Sequence, residues 1–127
     1  MNERILLVDD DPSLLRVTEK QLADAGYAVR PVADGPAALA AFEDGGFDLV
    51  LSDIQMPGLD GIELLGEIKR RDPSAAVVMI TAHGTVERAV SAMRTGADDF
   101  LEKPYSRERL LGAVERALRF RGLAAES

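Results

Sequence analysis

Short apolar runs alternate with amphipathic stretches from one end of the chain to the other. Arg4-Ile5-Leu6-Leu7-Val8 has Leu and β-branched residues without a break, which suits a buried strand. It stops at Asp9-Asp10-Asp11-Pro12, where Asp11 is placed to cap a helix and Pro12 to occupy its first position. The next stretch puts Leu14, Leu15, Thr18 and Leu22 on one face and ends at Gly26. Residues 27–32 read as a second strand, and 35–43 as an Ala-rich helix ending in Asp44-Gly45-Gly46. Residues 47–52 make a third strand with Asp53 at its end. After a Pro57-Gly58 loop, Ile62, Leu65 and Ile68 form a helical stripe that runs out before Asp72-Pro73. Ala76-Val77-Val78-Met79-Ile80 is the most strongly β-branched run and reads as a fully buried strand. Val86, Ala89, Val90 and Met93 make the next stripe, closed by Gly96. Phe100-Leu101 lies in a short fifth strand before Lys103-Pro104, and Leu110, Leu111, Val114 and Leu118 share one face of a last helix. Five strands alternating with five helices predict a doubly wound α/β fold, with a five-stranded parallel sheet, flanking helices and right-handed crossovers.

Composition narrows the chemistry more than the fold. A chain of 127 residues, 46% hydrophobic and 29% charged, has the make-up of one globular domain. No apolar run approaches the roughly 20 residues of a membrane span, and the N-terminus has no signal-like segment, so the expected setting is the cytoplasm. The absence of cysteine excludes disulfides, thiolate metal sites and cysteine nucleophiles, and a single histidine disfavours multi-imidazole sites. With 15 Lys+Arg against 22 Asp+Glu, the formal charge of −7 argues against a direct nucleic-acid contact. Carboxylates, hydroxyls and lysine remain. Residues 122–127 are small or polar and read as a frayed tail or the start of a linker, which places the domain at 1–121.

Open parallel sheets bind ligands outside the carboxyl ends of their strands, near the point where strand order reverses. The first strand ends in Asp9-Asp10, the third in Asp53 and the fourth in Thr81, and the fifth ends just before Lys103. Three carboxylates and one ammonium leave two uncompensated negative charges at that edge. Two like charges ~4 Å apart repel by about 4 kcal/mol at an effective dielectric of 20. The cluster therefore calls for a cation, and hard oxygen donors without His or Cys favour Mg²⁺. Each residue also has a plain structural explanation. Asp11 is simplest as a helix cap, Asp53 could be a turn residue, Thr81 could cap a helix and Lys103 could be a surface lysine. Their shared position at strand ends is what these separate explanations do not account for.

At these residues the sequence resembles the receiver domain of two-component response regulators, a flavodoxin-like or CheY-like fold, from Ile5 to about Arg121. The resemblance rests on four blocks in order: Leu7-Val8-Asp9-Asp10-Asp11, Ser52-Asp53-Ile54-Gln55-Met56-Pro57-Gly58-Leu59-Asp60-Gly61, Ile80-Thr81-Ala82-His83-Gly84 and Gly96-Ala97-Asp98-Asp99-Phe100-Leu101-Glu102-Lys103-Pro104-Tyr105. It implies that Asp53 is the phosphoacceptor. It also implies that Mg²⁺ is held by Asp10 directly, by Asp9 largely through water, by Asp53, and by the backbone carbonyl of Gln55. Thr81 matches the hydroxyl that bonds the phosphoryl group, Lys103 the lysine that pairs with it, and Lys103-Pro104 a peptide bond usually cis in the family. Phe100 falls at the aromatic switch position, where Tyr is frequent. Without a hydroxyl, its inward state rests on packing alone. His83 is expected in an exposed loop beside the site.

The same resemblance implies a sensor histidine kinase as phosphodonor, a downstream effector domain or protein, and a phosphorylation-dependent homodimer. The nearest match is to receivers of transcriptional activators of the NtrC/DctD type, so the implied output is transcription. The chain encodes neither an ATPase nor a helix-turn-helix, and is read as the receiver portion of such a regulator or as a stand-alone receiver acting by protein–protein interaction. It is not expected to be an enzyme beyond its own phosphorylation and dephosphorylation. A Mg²⁺-dependent aspartyl phosphatase usually carries a second carboxylate two residues after its nucleophile, where Gln55 stands here. A flavodoxin-like cofactor binder needs a phosphate cradle where Asp9-Asp10-Asp11 stands. A degenerate receiver would lack part of the Asp53, Thr81 and Lys103 set.

Overall fold

A computed structural model describes residues 2–56, 58–82 and 86–126, with side chains as far as residue 120. Pro57 of the expected loop and the expected placement of His83 lie outside the described residues. The elements run β1 (Arg4–Val8), α1 (Pro12–Asp24), β2 (Ala28–Val32), α2 (Gly35–Glu43), β3 (Leu49–Asp53), α3 (Gly61–Arg71), β4 (Ala76–Thr81), α4 (Val86–Thr95), β5 (Asp99–Glu102) and α5 (Arg107–Glu126). Five strands pair in parallel in the order β2-β1-β3-β4-β5. Strand order reverses between β1 and β3, so the first and third strands end side by side at the switch point.

Strand alternation divides the core between the two faces of the sheet. Leu6, Val8, Val50, Val77 and Met79 meet α2, α3 and α4 residues such as Ala38, Leu64 and Ala92. Ile5, Leu7, Leu49, Leu51 and Ile80 meet Leu22 of α1 and Leu110 and Val114 of α5. Local signals set the helix starts. Asp11 Oδ1 accepts from the Ser13 and Leu14 amides at 3.0 and 3.3 Å, Asp34 from Ala37 at 2.7 Å, and Asp60 from Glu63 at 2.9 Å. Gly61, at the start of α3, sits directly under the site. A Cβ there would collide with the Asp53 carbonyl and lie 2.6 Å from the Ile54 Cα.

The α4 stripe is divided between the core and the surface. Ala89 and Ala92 are buried, whereas Val86, Val90 and Met93 are exposed. The helix turns its small residues toward the sheet and leaves its large ones in the open. An amphipathic stripe identifies an apolar face but not what covers it. At the C-terminus, α5 remains helical through Glu126, beyond the Arg121 at which the sequence pattern ends the domain.

Candidate functional site

Sheet register alone gathers the strand-end residues. Val8 pairs with Ser52 and Asp53 with Ile80, while Thr81 pairs with Glu102, so Asp9, Asp53, Thr81 and Lys103 emerge at one edge. Backbone hydrogen bonds continue this order past the strands: the Ile54 amide donates to the Ile80 carbonyl at 2.9 Å and the Lys103 amide to the Thr81 carbonyl at 2.8 Å. The Lys103-Pro104 peptide is cis. Tyr105 beyond it is joined to Thr18 of α1 by a 2.7 Å hydroxyl–hydroxyl hydrogen bond. Burial holds the Tyr105 phenol above its ordinary pKa, so it is a neutral strut at the ordinary pH of the cell.

Asp53 is 6% exposed and bonded on both oxygens. Oδ1 accepts from the Gln55 amide at 3.1 Å, and Oδ2 accepts from Lys103 Nζ at 2.8 Å. Lys103 Nζ also lies 3.4 Å from Asp9 Oδ2. Partial burial works against the lysine's charge, but the hydrogen bond and charge of Asp53, aided by Asp9, outweigh it and hold Lys103 above its ordinary pKa. Asp9 is 1% exposed and anchored through Oδ1, which accepts from the Asp11 amide at 2.9 Å. Burial, aided by the Asp53 charge, lifts Asp9 above the usual carboxylate range against the opposing pull of the Asp11 amide and Lys103.

Ligand oxygens of Asp9, Asp10 and Asp53 all lie within 4.8 Å of one another. Asp9 Oδ2 is buried without a hydrogen bond of good geometry, its 3.4 Å approach to Lys103 being long and ionic only. A buried carboxylate oxygen left in this state is what a cation ligand looks like before the cation is added. The donor set, oxygen throughout and with Asp10 exposed on the open side, fits a hard divalent ion.

The cleft above the cluster has a volume of about 550 Å³ and is lined by Asp10, Asp53, Gln55, Ala82 and Lys103, together with Met56, Asp60 and Arg88. The structure thus brings together Asp9, Asp10, Asp53 and Lys103 from the strand ends, and Gln55, which only the family resemblance implied, beside them. Thr81 is buried at the same edge and lines a second cavity of about 340 Å³ on its other side. Phe100, 45% exposed, lines that cavity with Val86, Val90 and Met93. Asp60 and Arg88 were not visible as site residues in the pattern: one reads as a helix cap and the other as a helix-surface charge. The only available signal was that both fall in the first turn, or at the cap, of helices that follow site strands.

The sequence matches the response regulator receiver domain family over residues 5–115. It is 44% identical over 120 residues to the nitrogen assimilation regulatory protein NtrX of Azorhizobium caulinodans, covering 93% of this chain and 26% of that protein. It is 43% identical over 114 residues to the DNA-binding transcriptional regulator NtrC of Salmonella typhimurium, covering 90% of this chain and 24% of that one. The chain therefore spans about a quarter of the length of these relatives. Among solved structures, NtrX from Brucella abortus in complex with ADP superposes with a TM-score of 0.94 at 44% identity, over 99% of this chain and 29% of that one. A CheY-like receiver domain protein from Methanospirillum hungatei gives 0.91 at 32% identity over 98% and 99% of the two chains. Strand order, strand-end residues and homology coincide along the same stretch, and the chain belongs to the receiver domain family of two-component response regulators.

Proposed function

We propose that Asp53 accepts a phosphoryl group from the phosphohistidine of a sensor histidine kinase and that the chain passes this event to a downstream effector domain or protein. The observation that carries this reading is the Asp53 carboxylate. It is nearly buried, opens onto the cleft, and is paired with Lys103 at 2.8 Å. In the transfer an Asp53 oxygen forms a new bond to phosphorus while the P–N bond of the donor breaks, and the electron pair leaves with the imidazole. Asp9, Asp10, Asp53 and the Gln55 backbone carbonyl would hold Mg²⁺. The chemistry a bound Mg²⁺ supplies there is neutralisation of the carboxylates and of the incoming phosphoryl oxygens. The chain's own part is positioning: Lys103 neutralises one oxygen of the product and Thr81 donates its hydroxyl to another.

The acyl phosphate carries about −2 charge and three acceptor oxygens. As the Thr81 hydroxyl turns toward them, the cavity it lines would become available to the ring of Phe100, which lines the same cavity. The surface of α4, β5 and α5, residues 86–94 and 110–119 in particular, would change shape with that rotation. Exposed Val86, Val90, Met93 and Phe100 lie beside ion pairs such as Arg116–Asp99 at 3.4 Å. That mixture suits a reversible homodimer or docking contact more than a permanent interface. Residues 1–121 are read as the signalling unit, with transcription as the output through a further domain and the cytoplasm as its setting.

Incubation with acetyl phosphate and Mg²⁺ tests the acceptor. One hydroxylamine-labile phosphoryl group per chain is expected, and none in Asp53→Asn. Equal modification of that variant would overturn the assignment.

A further inference from the structure

Arg88 lines the acidic cleft and has no part in the transfer at Asp53 set out above. It lies in the first turn of α4 and lines the same cleft as Asp53, Asp10 and Lys103. Its Nη2 is 3.5 Å from Asp60 Oδ2, at the outer limit of a hydrogen bond. Asp60 is already engaged elsewhere, since its Oδ1 accepts the Glu63 amide at 2.9 Å and caps α3. The Arg88 Nε–H is buried and has no acceptor among the described residues. A guanidinium offers five N–H donors in a planar fork that matches phosphoryl oxygens two at a time. Here that fork is loosely held, incompletely satisfied and lines the same cleft as the acceptor carboxylate. Lys103, the other cation of the cleft, is already divided between Asp53 at 2.8 Å and Asp9 at 3.4 Å.

We propose that Arg88 is a second cationic contact for the phosphoryl group, exchanging Asp60 for the phosphoryl oxygens of the donor and of the product at Asp53. This rests on the reading of Asp53 as phosphoacceptor. Arg88 exchanges hydrogen bonds only. The Asp53 oxygen still forms the new bond to phosphorus, and with acetyl phosphate the electron pair of the broken P–O bond leaves with acetate. Thr81 and Lys103 reach the group from the sheet side, whereas Arg88 belongs to α4. The exchange therefore gives α4 its own contact with the phosphoryl group, independent of Phe100. Asp60 sets the threshold, because it competes for the same guanidinium.

The test is the initial rate of acyl phosphate formation against acetyl phosphate concentration, with Mg²⁺, in the parent chain, Arg88→Ala, Arg88→Lys and Asp60→Asn. Arg88→Ala is expected to be about tenfold slower at low donor concentration, the effect of losing a hydrogen bond to a charged group. Arg88→Lys should recover part of that loss, which a purely structural role would not allow. Asp60→Asn keeps the cap oxygen but releases the guanidinium, and should be about threefold faster. Parental rates in Arg88→Ala overturn the proposal while leaving Asp53 in place. If Arg88→Ala does not fold, Asp60→Asn decides: acceleration supports the exchange, and an unchanged or slower rate overturns it. Asp53→Asn run alongside separates the two levels, because modification persisting there removes the acceptor reading and this proposal with it.

Discussion

Asp9 shows how the site is held in readiness at a cost to the fold. Its carboxylate is buried beside that of Asp53, and burial favours its neutral form. A group with a raised folded-state pKa contributes stability that is complete below the usual carboxylate range. That contribution is lost as pH rises through the elevated value. Without a divalent ion, the ionised form of Asp9 is therefore a burden. Asp9→Asn keeps the Oδ1 acceptor for the Asp11 amide and removes the charge. In chelator, its stability relative to the parent should improve as pH rises from below the usual carboxylate range through the elevated Asp9 pKa. Denaturant unfolding at several pH values measures this difference, and a constant difference would contradict it. The identities of Asp9, Asp10, Asp53, Thr81 and Lys103 were legible in the sequence because each follows an apolar run, and a parallel sheet collects such positions at one edge. Asp60 and Arg88 were not, because their place depends on how two helices approach each other, which periodicity does not encode.

At the scale of elements, α4 and β5 form the part of the molecule whose packing is unfinished. Ala89 and Ala92 face inward while Val86, Val90 and Met93 stand around an apolar cavity of about 340 Å³ that Phe100 borders. In β5, Leu101 enters the core and Phe100 points to the other face, as strand alternation requires. The sequence pattern located every helix and strand here to within a few residues. It gave the α4 stripe without saying what covers it, because an apolar face is the same in sequence whether a sheet or a partner packs on it. The open cavity between Thr81 and Phe100 is the space the proposed switch needs. Thr81→Ala should still accept a phosphoryl group at Asp53, yet couple it to self-association less well. The expected loss is about 1 kcal/mol, or about fivefold in the phosphorylation-induced change of the association constant. Sedimentation of both proteins with and without acetyl phosphate measures it, and a full shift in the variant would exclude this route.

For the whole molecule, the β2-β1-β3-β4-β5 order brings residues far apart in sequence to one edge and leaves the helices to scaffold it. Layers and parallel strands follow from the alternation of runs, whereas the strand order itself has no local signature. The switch-point rule pointed to the strand ends as the place of the ligand, and the order places the first and third strands side by side there. The relatives matched are about four times as long as this chain's share of them. The central claim is a phosphoryl group on one carboxylate out of a cluster of three. Borohydride reduction of the acetyl phosphate-treated protein, followed by peptide sequencing in a mass spectrometer, tests that claim most directly, since an acyl phosphate is reduced to homoserine and a free carboxylate is not. Homoserine at position 53 and aspartate at positions 9 and 10 is the predicted result; aspartate at 53, or reduction at 9 or 10, would contradict it.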